Sequence, residues 1–345
     1  MAVHHTALAE RGARRPCTLV CHYTLSNYIL QLRGIKHHQN YTSLSISEHK
    51  KGVAIHTIHC AMNLKAALLA TTAAALTRQH MSMSAAPPKR LCVLGGSGYV
   101  GREVCKRAVE RGWEVASLSR RGENPLPGDA ALDCVEWMSG DAADAKDVQQ
   151  FVKDADAVVH AVGLLFDVDS GLTQFSKVVS GSNSVPGAES TYDRITRQTA
   201  FNAIDATANR LRLPFAPRTP FAFVSCAESG WPDVAGGSFV ESNVAPEWLR
   251  RYLVAKRAVE AKLVENSDKL RPVVYRPSLI WSWGKLDVLP IIPVFNLASA
   301  LGVPFVDRTI RVGTLADAIV AGIAGDAEGV QRFAAMDELA LEARA

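Results

Sequence analysis

The sequence lacks the features that would assign the chain to a nucleic-acid-binding or a membrane-spanning class. Its 345 residues carry a net charge of only +4, and no five Lys or Arg residues are clustered, so we expect no nucleic-acid partner. The apolar stretch from Leu64 to Leu76 is shorter than the ~20 residues that a transmembrane helix needs. With 48% apolar and 21% charged residues, the chain can instead bury a sizeable core.

Acidic residues are also absent from residues 50–102, which are rich in Ala, Ser and Thr. Within this region, "MNLKAALLATTAAALTRQH" (62–80) has the Leu and Ala stripe of an amphipathic helix with basic ends. Such a composition is typical of an organelle transit peptide. We therefore predict a disordered leader over 1–88 and a mitochondrial location, with the plastid as the alternative. A plain disordered tail is the other interpretation, and a start at Met62 would make 1–61 a gene-model extension.

Metal-ligand spacing is missing as well. Cys17, Cys21 and His22 lie close together, but no second pair of ligands follows at a matching distance. Structural zinc needs about four ligands at paired spacings. The sequence therefore predicts no metal site.

What the sequence does contain is a glycine-rich unit that begins near residue 90. "RLCVLGG" has the pattern of a buried strand, "SGYVGREVCKRAVERG" that of an amphipathic helix, and "WEVASLSRR" that of a second strand. Gly95, Gly98 and Gly101 lie at the first junction, where backbone amides at a helix N-terminus can approach a pyrophosphate. The unit predicts a dinucleotide-binding βαβ fold.

The end of the second strand indicates which dinucleotide is bound. A carboxylate at this position normally accepts hydrogen bonds from the adenosine ribose of NAD. Here Ser119, Arg120 and Arg121 occupy it. Guanidinium groups suit a 2′-phosphate, so we expect NADP(H) in preference to NAD.

The alternation of strands and helices continues to about residue 330. Four more strands are predicted in "CVEWMSGDAAD", "DAVVHAVGLL", "PFAFVSCAES" and "LRPVVYRPSLIW", with helices in "YDRITRQTAFNAIDATANRL" and "PEWLRRYLVAKRAVEAKLVENS". This order predicts an α/β fold with a doubly wound parallel sheet, the Rossmann fold, and a small substrate-covering lobe. The predicted domain is 89–332, with covering segments at 167–190, 228–247 and 281–308 and a tail at 333–345.

Three separated motifs resemble the extended and atypical short-chain dehydrogenase/reductase family. They are the glycine unit, "VSC" followed 27 positions later by Tyr252-x-x-x-Lys256, and "RPSLIWSWG". "YDRITRQTAFNAI" and "YLVAKRAVEAKL" look more narrowly like an organellar subgroup. That subgroup includes a fungal protein associated with coenzyme Q synthesis and plant homologues, and it is similar to the dehydrogenase-like accessory subunit of respiratory complex I.

The resemblance implies a catalytic set of Ser225, Tyr252 and Lys256. In the family the tyrosine exchanges a proton with the substrate oxygen, the serine hydrogen-bonds that oxygen, and the lysine lowers the pKa of the phenol. Thr196 stands where many members carry an asparagine of a proton relay, which puts that relay in doubt. The resemblance assigns cofactor contacts to Gly95, Gly98, Tyr99, Val100, Gly101, Arg120, Arg121, Asp141, Ala161, Gly163, Lys256 and Pro277.

Three functions remain open at this point. The first is an NADP(H)-dependent oxidoreductase of an organelle, acting on a hydrophobic carbonyl or hydroxyl compound, for example a quinone-related one. The second is a non-catalytic NADPH-binding scaffold of a quinone-synthesis or respiratory complex, and the third is a sugar-nucleotide epimerase or dehydratase. The apolar segment 281–308 could line a substrate pocket, contact a membrane surface or an organellar protein, or pack on the core as a lid.

Overall fold

The computed structural model describes most of the chain from residue 89 onwards. The described residues are 89–170, 187, 189–211, 216–284, 290, 292–302 and 305–344. The predicted leader, the Cys17 to His22 cluster and most of segment 167–190 lie outside them. The described residues belong to a unit that runs from Lys89 to Ala345.

A seven-stranded parallel sheet forms the centre of this unit. Its strands are β1 (Arg90–Leu94), β2 (Glu114–Ser119), β3 (Glu136–Ser139), β4 (Ala157–His160), β5 (Thr219–Val224), β6 (Leu270–Tyr275) and β9 (Gly329–Gln331). Their order in space is β3-β2-β1-β4-β5-β6-β9. Because β1 pairs with β2 on one side and with β4 on the other, the winding direction reverses at the carboxyl ends of β1 and β4. A doubly wound sheet binds its ligand at such a point.

Helices cover both faces of the sheet, as a parallel sheet requires. They are α1 (Tyr99–Glu110), α2 (Ala145–Val152), α3 (Thr199–Ala208), α4 (Gly237–Asn243), α5 (Glu247–Glu265), α6 (Ile292–Ala300), α7 (Val312–Ala324) and α8 (Phe333–Glu342). Two short strands, β7 (Ile280–Trp281) and β8 (Ile310–Arg311), pair in a separate ribbon. The described residues include no helix that is both long and apolar enough to cross a bilayer.

Alternating residues of each strand feed two hydrophobic cores. In β1, Leu91 and Val93 pack into the core that α1, α7 and α8 cover, whereas Cys92 and Leu94 pack into the core beneath α2, α3 and α5. All four side chains are fully buried. Successive side chains of a strand point to opposite faces of the sheet, and both faces are buried here. This explains why the strand is a continuous apolar run in the sequence. The fold is Rossmann-like, as the sequence predicts.

The sixth predicted strand, "LRPVVYRPSLIW", is two strands rather than one. β6 ends at Tyr275, and Ile280–Trp281 turns away to pair with β8. The break follows from two residues at the junction. Pro277 has no N–H for a ladder, and the Arg276 side chain is drawn towards Glu260 on α5, with 2.6 Å between the charged groups.

The predicted tail at 333–345 contains helix α8, Phe333–Glu342. Met336 and Ala340 of α8 are buried in the core shared with α7. Beyond the helix, Arg344 reaches Asp317 on α7 at 2.9 Å, and Arg107 on α1 contacts the same carboxylate. This long-range ion pair and the added strand β9 extend the domain to its end.

Candidate functional site

The turn from β1 to α1 can be made only by glycine at its two ends. Gly95 has a φ of +84°, in the left-handed region that favours glycine. A Cβ on Gly101 would lie 2.2 Å from the Gly95 carbonyl oxygen, and one on Gly98 would lie 3.1 Å from the same atom. The Gly98 amide donates to that oxygen at 2.9 Å. The three glycines thus fold the backbone tightly at the point where the sheet reverses.

The N-terminus of α1 faces this turn without side-chain capping. Its N-cap is Gly98, no side chain bonds the first amides, and the first turn contains no acidic residue. The positive end of a helix in this state favours an anion. Tyr99 and Val100 begin the helix, and Val100 packs against the core. The arrangement fits the pyrophosphate of a dinucleotide.

Two cations stand at the end of β2, beside the turn. Arg120 and Arg121 are both exposed, and neither guanidinium contacts a carboxylate in the part of the chain that the structure describes. The backbone that carries them is fixed, because the Ser139 hydroxyl donates to the Arg120 carbonyl at 3.0 Å and the Gly122 amide donates to Ser119 Oγ at 3.1 Å. Both arginines are therefore available to an anionic ligand.

The remaining predicted cofactor contacts lie on neighbouring strand ends. Asp141 follows β3, but its carboxylate already accepts from the Ala143 amide at 2.9 Å. The Ala161 amide donates to the Leu94 carbonyl at 3.0 Å, which continues the β4 edge past the glycine turn. The Pro277 carbonyl accepts from the Ala227 amide at 2.9 Å and ties the ends of β5 and β6 together.

Lys256 and Tyr252 meet on one face of α5, as their spacing of four predicts. The Lys256 ammonium lies 5.5 Å from the centre of the Tyr252 ring and donates to the Val224 carbonyl at 2.7 Å. It also lies 3.9 Å from where a Cβ on Gly163 would be. Burial lowers the pKa of Lys256 to about 8. The pair therefore adjoins the strand end that continues from the glycine turn.

The Ser225 hydroxyl is bonded to a third side chain on this face of α5. It donates to Glu260 Oε1 at 2.5 Å, and Glu260 in turn pairs with Arg276. All three groups are largely buried. This network links β5, α5 and β6 next to the pair. Glu260 lies four residues beyond Lys256, a spacing from which the sequence could have indicated it.

A buried thiol follows Ser225 at the end of β5. Cys226 Sγ is 3.2 Å from Ser229 Oγ, and Cys226 is among the groups that raise the pKa of Tyr252. Burial raises the pKa of Cys226 to about 12, so the group is a neutral thiol. The structure thus brings Tyr252 and Lys256 together with Cys226, and the catalytic role of Ser225 stays a prediction.

The pKa of Tyr252 moves in the direction opposite to expectation. Burial raises it well above the ordinary value, and Cys226, Glu228 and Tyr192 add to the rise. Tyr192 packs edge-on against Tyr252 with 5.5 Å between the ring centres. The expected lowering by Lys256 does not offset this rise. The phenol is therefore fully protonated at neutral pH.

Thr196 lies in a π-helical turn, Asp193–Gln198, that packs against α5. Its side chain is fully buried and its hydroxyl has no hydrogen-bond partner among the described residues. Just beyond the turn, Thr199 Oγ1 lies 2.9 Å from Nε2 of the buried His160. A π-turn is a frequent feature of functional sites. The sequence did not predict it, because the apolar spacing here is that of an ordinary helix.

Comparison with known proteins finds a family match over part of the chain and two similar sequences. Residues 91–184 match the model of the NAD dependent epimerase/dehydratase family. The chain is 24% identical over 216 residues to MIOREX complex component 2 of Saccharomyces cerevisiae, covering 56% of this chain and 73% of that protein. It is 49% identical over 53 residues to an uncharacterized chloroplastic protein of Arabidopsis thaliana, covering 15% of this chain and 18% of that one.

Among solved structures, the chain is similar to the enzyme WbmF of Bordetella bronchiseptica in complex with NAD+. The TM-score is 0.47 and the identity 16%, over 74% of this chain and 77% of that one. The family match covers β1 to the region after β4, which includes the glycine turn, Arg120 and Arg121. The matched part of the chain is therefore the part that would hold a nucleotide.

Proposed function

We propose that the chain is an NADP(H)-dependent oxidoreductase of an organelle that reduces a hydrophobic carbonyl compound, for example a quinone-related one. The observation that carries the proposal is the position of Lys256. Its ammonium lies against Gly163, at the strand end that adjoins the glycine turn. A dinucleotide with its pyrophosphate on α1 would extend towards this point. The proton-transfer pair and the nucleotide-binding turn therefore form one continuous site.

The proton is supplied by Tyr252. A bound NADPH would deliver hydride from nicotinamide C4 to the carbonyl carbon. Tyr252 carries its proton at neutral pH, so it can act as the general acid that protonates the carbonyl oxygen. The Lys256 ammonium, which is charged below about pH 8, then stabilises the phenolate until solvent restores the proton. The product is the alcohol.

In this proposal Cys226, and not Ser225, is the second hydrogen-bond donor to the substrate oxygen. Cys226 is among the groups that raise the pKa of Tyr252, and its thiol contacts the Ser229 hydroxyl, whereas the Ser225 hydroxyl is bonded to Glu260. A thiol is a weaker hydrogen-bond donor than a hydroxyl. Cys226 would therefore orient the carbonyl but polarise it less than a serine would.

NADP(H) is the proposed cofactor because of the arginine pair. Arg120 and Arg121 are exposed at the end of β2, where the adenosine ribose of a bound dinucleotide lies. Charge-assisted hydrogen bonds from guanidinium groups to a phosphate are among the stronger ones. NAD has no 2′-phosphate and would gain nothing from either arginine.

Aromatic side chains near Tyr252 support a hydrophobic substrate. Trp248 precedes Tyr252 by one turn of α5, and its ring meets Phe166 edge-on with 5.0 Å between centres. Tyr192 forms a similar pair with Tyr252 itself. Such walls bind flat or apolar molecules. The organelle is supported by the leader-like composition and by the chloroplastic relative.

Two other functions have a specific observation in their favour. A scaffold that keeps NADPH as a structural ligand is favoured by the yeast relative, whose name describes a component of a complex, and by the thiol beside Tyr252. An epimerase or dehydratase acting on a sugar nucleotide is favoured by the family model that matches residues 91–184.

The test follows NADPH absorbance while the purified chain is offered a series of hydrophobic ketones, aldehydes and quinones. We expect turnover that falls by about 10²–10⁴-fold in Tyr252→Phe, with unchanged NADPH affinity. Equal turnover in the variant would contradict the role of Tyr252. NADPH binding without reduction of any compound would favour the scaffold, and conversion of a sugar nucleotide would favour the epimerase.

A further inference from the structure

Residues 288–306 form a stretch of chain without a single charged residue. Its central part is helix α6, Ile292–Ala300, which is followed by Leu301 and Gly302. The helix is distant in sequence from the acid/base pair, and no role in the proposed reaction uses it. Its polar residues are Ser299 and Asn296, whose side chain accepts from the Thr309 amide and hydroxyl at 2.9 and 3.1 Å. The rest of the helix is apolar, which in a helix that lies on the surface needs an explanation.

One side of α6 packs on the domain, and the opposite side is exposed to solvent. Ile292 is buried, and Phe295 is half-buried on the same side of the helix. Val294, Leu297 and Leu301, at positions i, i+3 and i+7, share the opposite side. Their side chains are 64%, 61% and 73% exposed, respectively. Three large apolar side chains therefore form a continuous stripe that faces solvent.

A tryptophan that precedes α6 in the sequence is exposed as well. Trp283 is 66% exposed, and its ring meets that of Trp281 edge-on with 5.3 Å between centres. We call the four exposed side chains of Trp283, Val294, Leu297 and Leu301 the α6 patch. Arg311 lies over the Trp281 ring, 5.7 Å from its centre. It is exposed and forms no ion pair with any residue that the structure describes.

The size of the α6 patch indicates what covers it. Four side chains that each expose about 100 Å² come to about half of the ~800 Å² that each partner contributes to a standard protein interface. A second copy of the chain would therefore be held poorly. A nine-residue helix is ~14 Å long, too short for the ~30 Å bilayer core. It has the right length to lie in the plane of a bilayer surface.

The chemistry of the patch fits a lipid surface. Tryptophan is enriched at the boundary between lipid headgroups and acyl chains, and an arginine beside it can pair with an anionic headgroup. We propose that the α6 patch, with Arg311 at its edge, inserts into the headgroup layer of an anionic bilayer and holds the protein there as a peripheral contact. This proposal does not depend on the proposed reaction.

The experiment measures sedimentation of the full chain with phosphatidylcholine vesicles, with and without phosphatidylglycerol. It compares two matched double variants. Val294→Asp/Leu297→Asp charges the patch, and Val264→Asp/Leu341→Asp charges side chains that are 67% and 68% exposed elsewhere on the surface. We expect the first to weaken binding to the mixed vesicles about tenfold or more and the second to leave it unchanged. Both double variants contain the same residues 1–88, so any vesicle binding by that segment contributes equally to both and does not affect the comparison.

Two further measurements identify the atoms in contact. Lipids brominated on their acyl chains should quench the fluorescence of the wild type strongly and that of Trp283→Phe much less. Arg311→Gln should reduce the difference between the two vesicle compositions. Equal loss of binding in both double variants, or no wild-type binding to either vesicle, would overturn the proposal. A dimer in light scattering that Val294→Asp/Leu297→Asp abolishes would also overturn it, by making a second copy the occupant.

Discussion

The two ends of the candidate site are built in different ways. At the nucleotide end, backbone makes the site: the glycine turn closes on the Gly95 carbonyl, and α1 begins without a side-chain cap. At the reaction end, side chains from β5 and α5 make it, and each depends on a partner far away in sequence. Tyr252, Lys256 and Cys226 are examples. The nucleotide end is therefore formed by residues close together in the sequence, whereas the reaction end is formed by residues from distant segments.

Because of this difference, we expect some variants to impair only the nucleotide end of the site and others to impair only the reaction end. Changes at the glycine turn should remove nucleotide binding and leave the remaining fold intact. Changes behind α5 should affect stability or turnover while nucleotide binding persists. The following predictions begin with the largest expected effect.

Glu260→Gln should have the largest effect, on stability. The carboxylate is buried, pairs with Arg276 at 2.6 Å and accepts from Ser225. Removing the closer partner leaves Arg276 with Asp233 alone, which is exposed and 3.3 Å away, and loss of one partner of a buried ion pair costs up to about 3–5 kcal/mol. Urea unfolding measures the loss. Ser225→Ala is the smaller control and should cost about 1–2 kcal/mol, since only a hydrogen bond is lost. Equal stability of Glu260→Gln and wild type would contradict a structural role for the network.

The second prediction concerns pH and Lys256. Burial lowers the pKa of Lys256 to about 8 from 10.5, so between these values the unfolded chain binds more protons than the folded one. The free energy of unfolding should therefore rise across this interval, by about 3 kcal/mol in total for this group. Urea unfolding of wild type and Lys256→Met at several pH values isolates the contribution. The same slope in both proteins would show that Lys256 is not the source.

Gly101→Ala tests the nucleotide end. The new Cβ would meet the Gly95 carbonyl oxygen at 2.2 Å, so the turn must open, at a cost of about 1–3 kcal/mol. We expect NADPH affinity to fall about tenfold or more, because the amides at the start of α1 move. Gly187→Ala is the control, since a Cβ there meets nothing within 4 Å. Undiminished affinity in Gly101→Ala would remove the turn from the binding site.

Cys226→Ser should have the smallest effect, and in the opposite direction. A hydroxyl donates a stronger hydrogen bond than a thiol, which corresponds to about 1 kcal/mol or roughly fivefold in turnover. Cys226→Ala should lower turnover instead. The kcat of each variant with NADPH and the best carbonyl substrate is the readout. If Ser225→Ala abolishes turnover while Cys226→Ala has no effect, the second group is Ser225.

The same difference explains which features could be predicted from the sequence. The glycine turn was predictable because its contacts lie within seven residues of one another. Tyr252 and Lys256 were predictable because a helix sets their distance. The choice between Ser225 and Cys226 was not, since β5 ends at Val224 and the alternation of side chains stops there. Helix α8 was not predicted, because Met336 and Ala340 bury it against α7, which is a tertiary contact that the short segment does not reveal.

The most direct test of a continuous site with two independent ends is a fluorescence titration with NADPH and with NADH. It compares the wild type, Tyr252→Phe and Arg120→Ala/Arg121→Ala. The account predicts that the wild type binds NADPH more tightly than NADH and that Tyr252→Phe binds both as the wild type does. In the double arginine variant, NADPH should lose about 1.5–3 kcal/mol for each charge-assisted bond while NADH is nearly unaffected. Binding of neither nucleotide by the wild type, or equal losses for both in the arginine variant, would contradict it.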